Sequence, residues 1–358
     1  MPSYSALEAI SPAIERTKIY LFKPFRLGRF LKLALVACLV EGAYSGANVN
    51  FSFPFPGPAG KSVPVDIPAL HLPSFSVWIA VAAVALLISL PIGLVLTYLL
   101  TRLRFSYFDC LLDRHDSVSV GWRKYHRQAV RYLVANICIG LLFLVAFVLI
   151  GVWVWWRYRE LFTALFSGQK THLNVDFFAL IVPFAWIFLT VAALSLVAFV
   201  SQSLMNYCVL PRMALDGDTV LSAIAEVWAE VQVEKGQFAL FLLMRMLLPV
   251  AASLIAFLVV IVPFAVLVVI GVVVGFAVHA ALHSGLLLVL LAVLAGMLAA
   301  VFFIVVGVSV GGTIATFTRN YGMLFYAGRY PEMAARLWPV LAPPPASAGG
   351  DVVVGGLA

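Results

Sequence analysis

Charge is scarce in this chain. Asp, Glu, Lys and Arg make up 11% of its 358 residues, against about 25% in a soluble globular domain. So few charges cannot clothe a water-facing surface of this size. Cysteine is sparse as well. Cys38, Cys110, Cys138 and Cys208 stand far apart with no CxxC pair. That argues against a disulfide framework or a zinc site and leaves them as small hydrophobes. No HExxH or Walker loop occurs, and no GxSxG or GxGxxG joins a strand to a helix. The chain is therefore expected to be no enzyme and to carry no cofactor or metal. Nor do the apolar residues alternate in ten-residue pieces, which argues against a transmembrane β-barrel.

What fills the chain is apolar: 63% hydrophobic residues and a mean hydropathy of +1.06. Lipid must solvate part of that surface, and long continuous runs satisfy their backbone in lipid only as helices. The expected fold is an all-α polytopic membrane helix bundle, with about six transmembrane helices as three hairpins and amphipathic cytoplasmic helices. Residues 1–341 form one transmembrane helical domain, and the low-complexity residues 342–358 a disordered tail. The spans fall at about 25–47, 75–103, 130–155, 177–202, 237–281 and 284–318. The fifth run carries one charge, Arg245, in 45 residues, about twice a bilayer core in length. It is either one crossing with an extension broken at Pro263 or two crossings with a tight turn. Leu35-Val36-Ala37-Cys38 resembles a lipoprotein cleavage box, but its apolar lead is too short, so an uncleaved first span is expected. Residues 48–74, rich in Pro, Gly and Phe, read as an extended external loop.

The net charge of +7 raises nucleic acid as a partner. Its distribution points elsewhere, because the basic residues stand at the ends of apolar runs, where anchors and anionic-lipid contacts sit. Residues 1–32, 102–131, 206–236 and 319–341 hold 18 Lys and Arg, whereas 48–75 and 157–176 hold 4. The positive-inside rule then places both termini in the cytoplasm, which favours six spans over seven.

A layout recurs at the three cytoplasmic returns. Tyr107 is followed by Trp122, Tyr207 by Trp228, and Tyr321 by Trp338, each time across an amphipathic stretch. The recurrence of order and spacing predicts a three-hairpin repeat. Arg102, Arg104, Trp122, Arg123, Lys124, Trp228 and Trp338 are the expected membrane-interface anchors. In 220–234, Val220, Ile224, Val227, Trp228 and Val231 share one helical face. Ser11-Pro12 reads as the start of a basic interfacial helix. Asp109 and Asp113 are expected to pair with neighbouring arginines.

One intramembrane constellation stands out. Asn136, Gln202 and Arg245 fall in the inner halves of three spans and predict a polar cluster there, unless Arg245 snorkels to the interface. Glu41, read near the outer end of the first span, meets Arg157 or Arg159 or faces water. His279 and His283 share a helical face without a third ligand, so a polar outer turn is expected rather than a metal site. Gly271 with Gly275 and Gly307 with Gly311 form GxxxG patterns, which predict close packing of the last hairpin or of two copies of the chain.

Ser11-Pro12-Ala13-Ile14-Glu15-Arg16-Thr17-Lys18 with Lys23-Pro24-Phe25-Arg26-Leu27-Gly28-Arg29-Phe30-Leu31-Lys32 resembles the amino-terminal signature of an uncharacterised family of bacterial membrane proteins. Arg104-Phe105, Phe108-Asp109 and Trp122-Arg123 resemble its middle motif. That family is distantly similar to the membrane domain attached to some glycerophosphodiester phosphodiesterases. Their catalytic barrel has no counterpart in these residues, so their activity is not carried over. The resemblance implies the bacterial inner membrane. Function is expected to be non-enzymatic, with amphipathic helices contacting anionic lipid or a partner, which includes a second copy or another membrane protein. The alternative is a small transporter or lipid-handling protein around Asn136, Gln202 and Arg245.

Overall fold

The computed structural model describes residues 4–42, 75–115, 117–166, 177–281 and 285–338. The expected external loop at 48–74, the tail at 342–358 and His283 lie outside them. The described residues are helical and hold no strand. The elements are α1 (Ile10–Phe22), α2 (Leu27–Gly42), α3 (Phe75–Leu112), α4 (Val118–Lys124), α5 (His126–Phe166) and α6 (Phe177–Leu204). A π-turn (Met205–Val209) leads to α7 (Leu210–Leu215), then α8 (Val220–Val233), α9 (Lys235–Ala281), α10 (Gly285–Ala327) and α11 (Pro331–Leu337).

Among the described residues, five helices are long and apolar enough to cross a membrane: α3, α5, α6 with its continuation into α7, α9 and α10. Their middles are bare of protein. Leu87 is 76% exposed, Leu142 70% and Phe188 75%. Lipid is as apolar as these side chains, so burying them against one another offers little gain. The packed core lies instead at one end of the bundle, built from Tyr, Phe and small residues of α1, α2, the C-terminal turns of α3 and α10, the N-terminal turns of α5 and α9, and the π-turn.

That end answers the repeat. Each long helix arriving there is followed by a short one: α4 after α3, α8 after α7, α11 after α10. Tyr107, Tyr207 and Tyr321 are all buried in the shared core. The tryptophans that follow differ in fate. Trp122 lies under Arg102, whose Cζ is 4.6 Å from the ring. Trp338 packs on Tyr4 at 5.7 Å, and Trp228 stays 57% exposed. On α8, Val220, Ile224, Val227 and Val231 pack against the core as expected, and Trp228 does not join them. Tyr4 also accepts from Arg329 through its carbonyl at 3.4 Å, so both described ends of the chain meet on one face.

Three expectations are corrected. α9 runs unbroken from Lys235 to Ala281, so the extension expected to break at Pro263 continues the helix, and the alternative of two crossings falls. α1 begins at Ile10 without a side-chain cap, so Ser11 is not its N-cap. α2, described from Leu27 to Gly42, is the partner of the small residues of α10. A Cβ on Gly312 would lie 2.5 Å from Ala34 Cα, and one on Gly311 would lie 3.4 Å from Cys38 Sγ, whereas Gly271 and Gly275 meet nothing within 4 Å. Close approach of two backbones requires the missing side chain at Gly312. The tight crossing is α2 on α10, not the last hairpin.

Gly312→Ala is expected to cost about 1–3 kcal/mol by forcing α2 from α10, read as a lower Tm in detergent, while Gly271→Ala does not lower it. A second expectation concerns topology. Val233 on α8 and Val273 on α9 are exposed, and single cysteines at the two positions should react with an impermeant maleimide from opposite sides of sealed vesicles. Labelling of both from one side would rule out one crossing for α9.

Candidate functional site

The charged end of the bundle encloses a polar network to which each long helix contributes. The π-turn is its hub. Such a turn is rare and recurs at functional sites, because it disturbs the regular hydrogen-bond ladder. Here the Asn206 carbonyl in the turn accepts from Arg319 Nη1 of α10 at 2.9 Å. The Asn206 side-chain oxygen accepts from Arg104 of α3 and from the Tyr132 hydroxyl of α5, the latter at 2.5 Å. Arg104 also donates to the Val40 carbonyl of α2 at 3.2 Å.

Next along the turn is Tyr207. Its hydroxyl donates to Glu41 Oε2 at 2.7 Å, and Arg319 Nη1 lies 3.4 Å from Glu41 Oε1. Its ring packs on Gly322, where an added Cβ would fall 2.7 Å from Tyr207 Cε1. Two guanidiniums lie against the same ring: Arg245 Cζ at 4.4 Å and Arg319 Cζ at 5.1 Å from its centroid. Arg245 donates to Ser203 Oγ and rests also on Phe199 at 5.2 Å. Cation–π contact of this kind offsets part of the desolvation of a buried guanidinium.

The predicted constellation is therefore brought together only in part. Gln202 Nε2 donates to Asn136 Oδ1 at 2.8 Å, as a pair on α6 and α5. Arg245 is enclosed rather than snorkelling, at 8% exposure, but it turns to Ser203 and Tyr207. Glu41 is corrected outright: it lies at the charged end with Arg319 and Tyr207, not at the opposite end with Arg157 or Arg159. Arg104 is corrected too. At 1% exposure it is a core residue and not an interface anchor. Arg102 keeps an interface position, donating to the Trp122 carbonyl at 2.8 Å, and Arg123 and Lys124 are exposed. The sequence signal missed here was the polar residue preceding the repeated tyrosines, Asn206 before Tyr207 and Asn320 before Tyr321. Asn320 indeed reaches across to α1, donating to Thr17 Oγ1 at 3.0 Å.

The model of a family of unknown function, DUF7544, matches residues 4–336. The chain belongs to that family. The match runs from the segment preceding α1 to α11 and so takes in every residue of the network. No curated protein and no solved structure matches the chain.

A second polar group lies nearer the end of α3. Asp109 accepts from Tyr125 Oη at 2.6 Å and meets His115 Nε2 at 3.2 Å and Lys124 Nζ at 3.4 Å. Its partners are thus a phenol, an imidazole and a lysine, not the arginines expected. Burial and the Asp109 carboxylate together push the Tyr125 phenol well above its ordinary value. Asp113 and His115 come close enough to Asp109 to suggest a three-ligand set, but the Lys124 ammonium competes there with any cation.

Removing the one carboxylate of the network is the sharpest probe of it. Glu41→Gln leaves Arg319 without its counter-charge, and breaking a buried pair costs about 3–5 kcal/mol. Tyr207→Phe removes a donor to the same carboxylate and costs about 1–3 kcal/mol. Unfolding in detergent should rank the two in that order below the wild type.

Proposed function

We propose that the chain is a non-enzymatic integral protein of the bacterial inner membrane whose charged end faces the cytoplasm and holds anionic lipid headgroups. The observation that carries this reading is the exposed junction of α1 and α2. Phe22, Phe25 and Leu27 are exposed there, Phe25 at 58% and Leu27 at 61%, beside exposed Lys18, Lys23 and Arg26. The rings form a cluster, with Phe22 5.4 Å and Phe25 5.9 Å from Phe30. Apolar wedges flanked by cations suit the headgroup layer, where each basic residue near an anionic surface contributes about 1 kcal/mol. Arg127 and Arg131, exposed one turn apart on α5, extend the same basic rim. The cytoplasmic assignment rests on the surplus of Lys and Arg at this end.

The use of the buried polar side chains favours this reading over transport. Transport needs a polar route across the whole membrane. Arg245 lies against Phe199 and Tyr207 and bonds Ser203, and beyond it α9 carries no Asp, Glu, Lys or Arg as far as Ala281. A protein partner on the same rim is the remaining reading, and the lipid test separates the two.

The full chain is purified in mild detergent from membranes containing phosphatidylglycerol and phosphatidylethanolamine, and its retained lipid is weighed by mass spectrometry. Phosphatidylglycerol should be enriched over its share of the membrane, and the triple variant Lys18→Gln, Lys23→Gln, Arg26→Gln should lose that enrichment while keeping its helical signal. Lipid retained in the membrane's own proportions by the wild type would turn the reading towards a protein partner.

A further inference from the structure

Among the described residues, the buried network holds more positive than negative charge. Arg245 and Arg319 both lie against Tyr207, and of the two only Arg319 meets a carboxylate, that of Glu41. A guanidinium does not give up its proton inside a protein. Arg245 is therefore an enclosed cation held by a hydroxyl and two aromatic rings. Acids elsewhere at this end are engaged with other groups: Asp109 with Lys124, Glu226 and Glu230 with Arg212, Glu234 with Arg329.

Arg319 divides its guanidinium in two. Nη1 serves Glu41 and the Asn206 carbonyl. Nε and Nη2 are buried and make no hydrogen bond among the described residues, and the same holds for Arg245 Nε. Nε and Nη2 form the side of a guanidinium that grips two oxygens of a phosphate or carboxylate in parallel. Arg319 is 1% exposed, and leaving such donors unsatisfied at that depth carries a desolvation penalty. The π-turn that carries their contacts Asn206 and Tyr207 points independently to a functional position.

We infer that Arg319 and Arg245 form a binding site for a phosphate-type oxyanion, gripped by the Nε–Nη2 edge of Arg319 and by Nε of Arg245 beside Tyr207. The two guanidiniums are then balanced by Glu41 and the bound anion. The oxyanion is either free phosphate or the phosphodiester of a lipid headgroup. The site uses none of the residues of the lipid-binding rim proposed above, so the two stand or fall separately.

The full chain in phospholipid-free detergent is titrated with inorganic phosphate, with chloride at equal ionic strength, and with short-chain phosphatidylglycerol, following Tm. Saturable stabilisation by phosphate supports the site and identifies a soluble anion. Saturable stabilisation by phosphatidylglycerol alone supports it and identifies a headgroup. In either case Arg245→Gln and Arg319→Lys should weaken the response at least about tenfold, the loss of one or two charge-assisted hydrogen bonds. Where Arg319→Lys does not fold, Arg245→Gln decides. No saturable response in the wild type, or an undiminished one in a folded variant, overturns the site.

Discussion

Glu41 and Arg319 stand 278 positions apart in the chain and meet in its core. The arrangement of the charged end depends on that pair, because its members bring the other helices with them. Through Tyr207 the carboxylate holds the π-turn; through Asn206 the guanidinium shares that turn with Arg104 of α3 and Tyr132 of α5. Arg245 adds α9 by resting on Tyr207. Every long helix is thus tied to a single cluster by a polar or charged group. In water such bonds are worth little net, because the unfolded chain finds water instead. Within a membrane the helices are already formed, and what remains to be specified is which faces meet. Small-residue contact and interhelical polar bonds do that work, and both occur here: Gly312 against Ala34, and the Asn206 hub.

The same constraint explains why the core sits at one end. Apolar stretches such as the middle of α3 gain little by leaving lipid for one another, so nothing gathers them. Polar groups have the opposite preference, and aromatic residues settle beside them near the interface. The outcome is helices that pack where they carry Tyr, Asn, Arg and Gly and stand apart where they carry Leu, Val and Ile. α1 reverses the usual amphipathic order in keeping with this. Its buried face includes Arg16 and Thr17, with Arg16 Nη2 donating to the Leu111 carbonyl at 2.7 Å near the end of α3. Ile14 and Phe22 point outward. A cation at a helix C-terminus is favourably placed, even though burial brings the Arg16 guanidinium down to about 10.

Much of the fold was legible in the sequence, because the long apolar runs, their basic ends and the Tyr-to-Trp spacing are one-dimensional signals. The candidate site was legible only as chemistry. Arg245 was marked by being a charge in an apolar run, yet its partner Ser203 sits one residue from the expected Gln202, about 100° around the helix, and spacing alone does not fix that phase. Arg104 was grouped with its neighbours as an anchor because a basic island reports side and not depth. Glu41 was assigned to the wrong end because its position was counted along an assumed outward span, while its true partner lies near the other end of the chain. The length of α9 was ambiguous for a related reason: a run of 45 apolar residues does not say how much of it stands in the bilayer.

Arginine rather than lysine at position 319 is itself informative. A lysine would satisfy Glu41 with one compact charge, whereas a guanidinium presents two separate donor edges in one plane. One edge of Arg319 is committed to Glu41 and Asn206, and those contacts suffice to fix α2, the π-turn and α10. A buried ion pair is a weak source of stability compared with well-packed apolar side chains, so fixing helix faces accounts for Glu41, Asn206 and the first edge. It gives no account of the second edge, nor of Arg245, whose cation is enclosed without a carboxylate. Two buried cations around one ring exceed what holding helices together requires, and that surplus is the physical reason for assigning the network a ligand.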